Sequence, residues 1–168
     1  MKKLTYILAI FAVVLSSCKP SQQEAADFND KIMSEQKKVV TKYDELLETY
    51  DTYVAKKMDD ALLEFESQIQ ASIFEVKNIP DIAGGEELKE AVLDYFEVYQ
   101  SVAKDEAPEL VRLYKVPENE FSGEMRVQWD SKYKEVDTKL KEADKKLQAV
   151  QNSFAENFHL KLTQPSAK

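Results

Sequence analysis

Apolar residues recur along this chain at spacings of three and four, which is the period of one face of an α-helix. The most regular stripe has successive spacings of 4, 3, 4, 3, 4, 3 and 4 and consists of Trp129, Tyr133, Val136, Leu140, Ala143, Leu147, Val150 and Phe154. Earlier stripes run from Phe28 to Tyr53, from Met58 to Val76, and from Leu88 onward past Pro108. The pattern predicts four amphipathic helices.

Three breaks separate these helices. Residues 78–85 contain one proline and two glycines, and residues 115–123 contain one of each, so both are predicted loops. The break between the first two stripes has neither residue. We place it within 51–59, because one helix over residues 24–77 would be about 80 Å long, more than a domain of about 150 residues can bury.

Four helices joined by short loops favour an all-α fold, an up-down-up-down antiparallel four-helix bundle. The chain has only three glycines and five prolines, too few for the many turns of an all-β fold. We expect the third helix to be kinked at Pro108, because proline removes one backbone hydrogen bond. The bundle is expected over residues 26–159, after a tether at 18–25 and before a tail at 160–168. A dimeric coiled coil through the last helix is the alternative.

The charge balance limits the classes of partner. The chain carries 31 acidic and 23 basic residues, a net charge of −8. If Lys2 and Lys3 are removed with a signal peptide, 21 basic residues remain and the net charge becomes −10. Phosphate backbones and anionic lipid headgroups repel such a surface. We therefore expect no nucleic-acid partner, and any membrane attachment must come from a lipid.

The first 17 residues have the pattern of a signal peptide. Lys2 and Lys3 are followed by an unbroken apolar run from Ile7 to Leu15. Even when extended back to Leu4, this run has 12 residues, whereas a membrane-spanning helix needs about 20. The segment 1–17 is therefore predicted to be a cleaved signal rather than a stable transmembrane anchor.

The sequence Leu15-Ser16-Ser17-Cys18 resembles the lipobox of bacterial lipoproteins, an aliphatic residue and two small residues before a cysteine. The resemblance implies that a peptidase cleaves between Ser17 and Cys18, that the thiol carries a diacylglyceryl group and that the new amine is acylated. Two or three acyl chains give stable anchoring. Cys18 is the only cysteine, so the domain has no internal disulfide. An ordinary signal peptide with an incidental cysteine is the alternative.

Together with the lipobox and four helices, the Phe28-Asn29-Asp30 opening and the closing Gln151-x-x-Phe154-Ala155 resemble a family of bacterial envelope lipoproteins. The resemblance covers most of residues 1–162. It implies a helical bundle in a diderm host and supplies no catalytic residues. Lys19 follows the cysteine where some diderm bacteria use Asp to mark inner-membrane retention, so we expect the outer membrane.

Candidate metal and acid/base pairs are weakly supported. Glu156-x-x-His159 has the spacing of a carboxylate-bridged di-metal site, but such sites use two of these motifs, and His159 is the only histidine. Glu-x-x-Glu pairs begin at Glu45, Glu87 and Glu106. Solvated helix faces explain them, although Glu106 falls on an apolar stripe. We predict no metal, no cofactor and no catalytic residues.

Tyrosines recur at stripe positions, and a buried hydroxyl needs a hydrogen-bond partner. One interpretation places these hydroxyls at the edge of the core, in water. The other is a ligand cavity lined by Tyr43, Tyr50, Tyr95 and Tyr99.

The sequence thus favours a lipid-anchored envelope lipoprotein that is not an enzyme and acts through contacts with an envelope protein. The bundle ends at 78–85 and 115–123 are the expected contact surfaces. A binding module for a small amphiphile held between the helices is the alternative.

Overall fold

The computed structural model describes residues 19–162 and contains no strand within that range. Its α-helices are α1 (Gln22–Tyr50), α2 (Ala55–Asn78), α3 (Glu86–Ser101), α4 (Ala107–Tyr114) and α5 (Gly123–Asn157). A π-helical segment, Val102–Glu106, joins α3 directly to α4, and a short 3₁₀ turn covers Glu118–Glu120. Because α3 and α4 form one continuous helical stretch, the prediction of an all-α fold with four helices packing together is confirmed.

Helix α1 begins earlier than expected because Ser21 and Glu24 form a capping box. The Ser21 hydroxyl accepts from the backbone N–H of Glu24 at 3.2 Å, and the Glu24 carboxylate accepts from the Ser21 N–H at 2.7 Å. Residues 22–25 are therefore helical, and Ala25 is fully buried. The predicted tether of 18–25 is too long, and the described part of the linker is Lys19–Ser21.

The break between the first two helices lies inside the predicted range of 51–59. Helix α1 ends at Tyr50, and α2 begins at Ala55. Thr52 closes the turn by donating from its hydroxyl to the Thr49 carbonyl at 2.7 Å. Tyr53 adopts a φ of +52°, a left-handed conformation that is unusual for an aromatic residue.

The helical stretch is irregular just before Pro108. Pro108 lies in the first turn of α4, where its missing N–H costs least. The distortion precedes it, as the π-helical turn Val102–Glu106. A π-helical turn interrupts the regular hydrogen-bond ladder and inserts an extra residue into the helix.

The apolar stripes of all the α-helices meet in one core. Helix α1 packs mainly on α2, and α5 mainly on α3, while α3 also contacts α1 and α2. Every core residue of the described range lies between Ala25 and Ala155. The largest fully buried side chains are Tyr95, Phe65, Phe96, Ile32, Leu46, Met58, Ile69, Leu88 and Leu113.

The start of α1, the loop 79–85 and the end of α5 meet at what we term the tether end. Gln22 donates from its side-chain amide to the carbonyl of His159. Gly85 lies against Phe28, so closely that an added Cβ would be 2.8 Å from the ring. A larger residue at this position would have to displace the side chains of Ile82 and Phe28.

Candidate functional site

The predicted cleavage and lipidation site falls outside the described residues. This applies to the signal peptide 1–17, to Ser17 and Cys18, and to residues 163–168 of the tail. Among residues 19–162, no helix is both long enough and apolar enough to cross a membrane.

Two of the four candidate tyrosines form a buried hydrogen-bond chain. The Tyr95 hydroxyl donates to the Tyr99 hydroxyl at 2.9 Å, and Gln36 donates to Tyr95 at 3.2 Å. Burial raises the pKa of both phenols above the usual value. Both rings are therefore neutral parts of the core at physiological pH.

The other two tyrosines pack against neighbouring rings. Tyr43 meets the edge of Tyr99 with ring centroids 5.9 Å apart, while Tyr50 stacks on Tyr114 at 4.1 Å. Tyr43, Tyr95 and Tyr99 are therefore in ring contact with one another, whereas Tyr50 packs on Tyr114. Of the four, only Tyr95 lines the groove between α3 and α5.

Aromatic residues gather where α1 meets α2 and α4 meets α5, which we term the aromatic end. Tyr50 stacks on Tyr114, Tyr114 meets the edge of Trp129 at 5.8 Å, and Trp129 stacks on Tyr133 at 5.2 Å. Tyr133 is 43% exposed, and Tyr53 at the nearby turn is 78% exposed. Exposed aromatic surface of this kind is typical of protein interfaces. Trp129 and Tyr133 belong to the apolar stripe that predicts the last helix.

An ion pair joins a buried carboxylate of the π-helical segment to a partly exposed lysine of α5. Glu106 is only 3% exposed, and one carboxylate oxygen accepts from the Lys139 ammonium at 2.6 Å. That hydrogen bond raises the pKa of Lys139, which also pairs with Glu135 at 3.3 Å. The second oxygen of Glu106 is buried and has no hydrogen-bond partner among the described residues. Its predicted partner, Glu109, instead binds Arg112, so the Glu106-x-x-Glu109 pair does not converge.

Sequence reasoning missed a second buried carboxylate. Glu35 of α1 accepts from the hydroxyl of Ser72 at 3.0 Å and from Lys38 at 2.6 Å. Ser72 is fully buried on α2, so this contact fixes the register of α1 against α2. Both carboxylate oxygens are satisfied, which favours a structural role.

A half-open groove runs between α3 and α5. It has a volume of about 410 Å³ and is lined by Ala91, Asp94, Tyr95, Val98, Ser101, Lys139, Glu142, Ala143, Lys146 and Val150. Its lining is mainly apolar, and charged side chains occupy the rim. Lys139 connects the groove to the buried carboxylate of Glu106.

The Glu156–His159 pair lies at the tether end, where His159 follows the end of α5 with a φ of +56°. Within residues 19–162, no group of three or more metal-ligating side chains comes together. The chain matches no protein-family model, no curated protein and no solved structure. The resemblance to envelope lipoproteins therefore remains a prediction from the sequence.

Proposed function

We propose that this chain is a lipid-anchored lipoprotein of the bacterial cell envelope, held at the outer membrane by acyl chains on Cys18. The bundle is not an enzyme in this proposal and acts by binding an envelope protein. The observation that carries the proposal is the exposed aromatic end, at the far end of α1 from Cys18.

The length of α1 separates the aromatic end from the proposed lipid anchor. Lys19–Ser21 can span at most about 10 Å, so the helix begins close to the proposed lipid. Helix α1 has 29 residues and is therefore about 40 Å long. A partner would meet Tyr53 and Tyr133 well away from the membrane surface. The net charge of −10 that remains without Lys2 and Lys3 would keep the domain off anionic headgroups.

We further propose an up-down-up-down order of the helices with a bend near Pro108. Short connections support this order, at residues 51–54, 79–85 and 115–122. The meeting of α1 with the end of α5 at the tether end supports it as well.

Site-specific photo-crosslinking in cells tests the proposal. A photoreactive residue replaces Tyr53 in one strain, and in a matched strain it replaces Phe74, which is 65% exposed near the other end of α2. We expect one discrete adduct from position 53, lost when Cys18→Ala removes the anchor, and none from position 74. Equal adducts from both positions, or an adduct that persists in Cys18→Ala, would contradict the proposal.

A further inference from the structure

The groove between α3 and α5 owes its shape to small residues on facing helices. Ala91 on α3 and Ala143 on α5 contribute no more than a methyl group each, while Val98 and Val150 supply larger apolar walls. Interiors are normally filled to crystal-like density, so small residues on both sides leave room for a guest. A volume of about 410 Å³ falls in the range of small-molecule sites.

The groove is lined along about 15 Å of helix, since Ala91 and Ser101 are ten residues apart on α3. This length suits a short alkyl chain. The mainly apolar floor would remove such a chain from water at a gain for every methylene.

The charged residues that line the groove are two acids, Asp94 and Glu142, and two lysines, Lys139 and Lys146. Neither acid forms an ion pair with a described residue. Lys139 is neutralised by Glu106 and Glu135, whereas Lys146 is outside any described ion pair. Two unpaired carboxylates therefore face one unpaired ammonium group.

Glu106 and Glu135 keep the Lys139 side of the groove from being positive. Each carries one negative charge, and both pair with the single positive charge of Lys139. The Glu106 side chain is buried, and a buried charge is screened by water much less than an exposed one. Lys139 therefore does not repel a cation in the groove.

We propose that the groove binds a primary alkylammonium amphiphile, with its chain on the apolar floor and its ammonium group at the carboxylates of Asp94 and Glu142. This site does not depend on the lipid anchor or on the aromatic end. An anionic amphiphile fits less well, because it would face two unpaired carboxylates with one unpaired lysine.

Photolabelling of the full chain in nanodiscs of zwitterionic lipid tests the proposal. The probe is an octylammonium ion that carries a diazirine, and the comparison probe is the matching octanoate. Mass spectrometry of the digested protein locates the label. We expect the ammonium probe to label residues 91–101 and 139–150 in preference to the carboxylate probe.

Matched variants separate binding in the groove from partition into lipid, because the lipid is the same in each sample. Asp94→Asn and Glu142→Gln should each weaken labelling about two- to fivefold, as expected for exposed charges, and together about tenfold. Glu87→Gln, an exposed carboxylate outside the groove, should leave labelling unchanged. Labelling outside the groove, equal labelling by octanoate, or an unchanged affinity in the double variant would overturn the proposal.

Discussion

Replacing Tyr53 with asparagine should stabilise the fold while removing the most exposed aromatic side chain of the described range. Tyr53 adopts a left-handed backbone conformation, which costs a non-glycine residue about 1–2 kcal/mol. Asparagine tolerates this conformation better. Because the ring is 78% exposed, the loss of burial should cost only about 0.5 kcal/mol. The expected gain is about 0.5–1 kcal/mol in the free energy of unfolding.

Thermal denaturation provides the assay. For a domain of this size, the expected gain raises Tm by roughly 1–4 °C. Phe74→Asn is the control, since Phe74 is similarly exposed but lies in a regular helix, and it should change stability by less than about 0.5 kcal/mol. A loss of more than about 1 kcal/mol in the free energy of unfolding would contradict this expectation, because it would mean that the ring of Tyr53 stabilises the turn.

Three further substitutions test the packing. Lys139→Met should lower the free energy of unfolding in urea titration by about 2–3 kcal/mol, because it leaves the buried Glu106 carboxylate without its partner. Adding Glu106→Leu should recover most of that loss. Unchanged stability of Lys139→Met would show that water reaches the Glu106 carboxylate. Leu140→Ala should lower the free energy of unfolding by about 2–5 kcal/mol, because Leu140 belongs to the core. A change near zero would mean that this face of α5 does not pack in the core. Gly85→Ala should cost about 1–3 kcal/mol, because its Cβ would lie 2.7 Å from Ile82 and 2.8 Å from Phe28; unchanged stability would mean that the loop moves freely away from α1.

Periodicity and helix length were enough to predict most of the fold. The stripes located all the long helices, and the limit on buried helix length placed the break at 51–59, where no glycine or proline marks it. The start of α1 was missed although the sequence contains its signal, the Ser21-x-x-Glu24 capping box. A local hydrogen-bonding motif, rather than the apolar pattern, decides where that helix begins.

The π-helical segment could not be predicted from the stripe. The stripe has a spacing of four residues here, from Val102 to Glu106 and from Glu106 to Leu110. This spacing fits a regular α-helix and a helix with a π-helical turn equally well. The stripe did single out Glu106, but its partner Lys139 lies 33 positions away on another helix. Glu35 and Ser72 were missed for the same reason, because their contact depends on the register between α1 and α2.

The period of the apolar residues shows which face of a helix is turned toward the core, but it does not show how deeply each residue of that face is buried. Trp129 and Tyr133 lie on the same stripe as Leu140 and Leu147, yet Tyr133 is half exposed and the two leucines are buried. The difference arises because α5 starts near the aromatic end, where fewer neighbouring residues cover it. The candidate interaction surface was therefore visible only in three dimensions.

The intact mass of the membrane-bound protein shows whether Cys18 carries lipid. The full chain is expressed in a diderm host, membranes are isolated, and the mass of the wild-type protein is compared with that of Cys18→Ala. We expect a wild-type protein that begins at Cys18 and carries two or three acyl chains, and a variant without acyl chains that retains residues 1–17. A membrane-bound wild-type protein without acyl chains, or a cleaved and acylated Cys18→Ala variant, would contradict lipid attachment at Cys18.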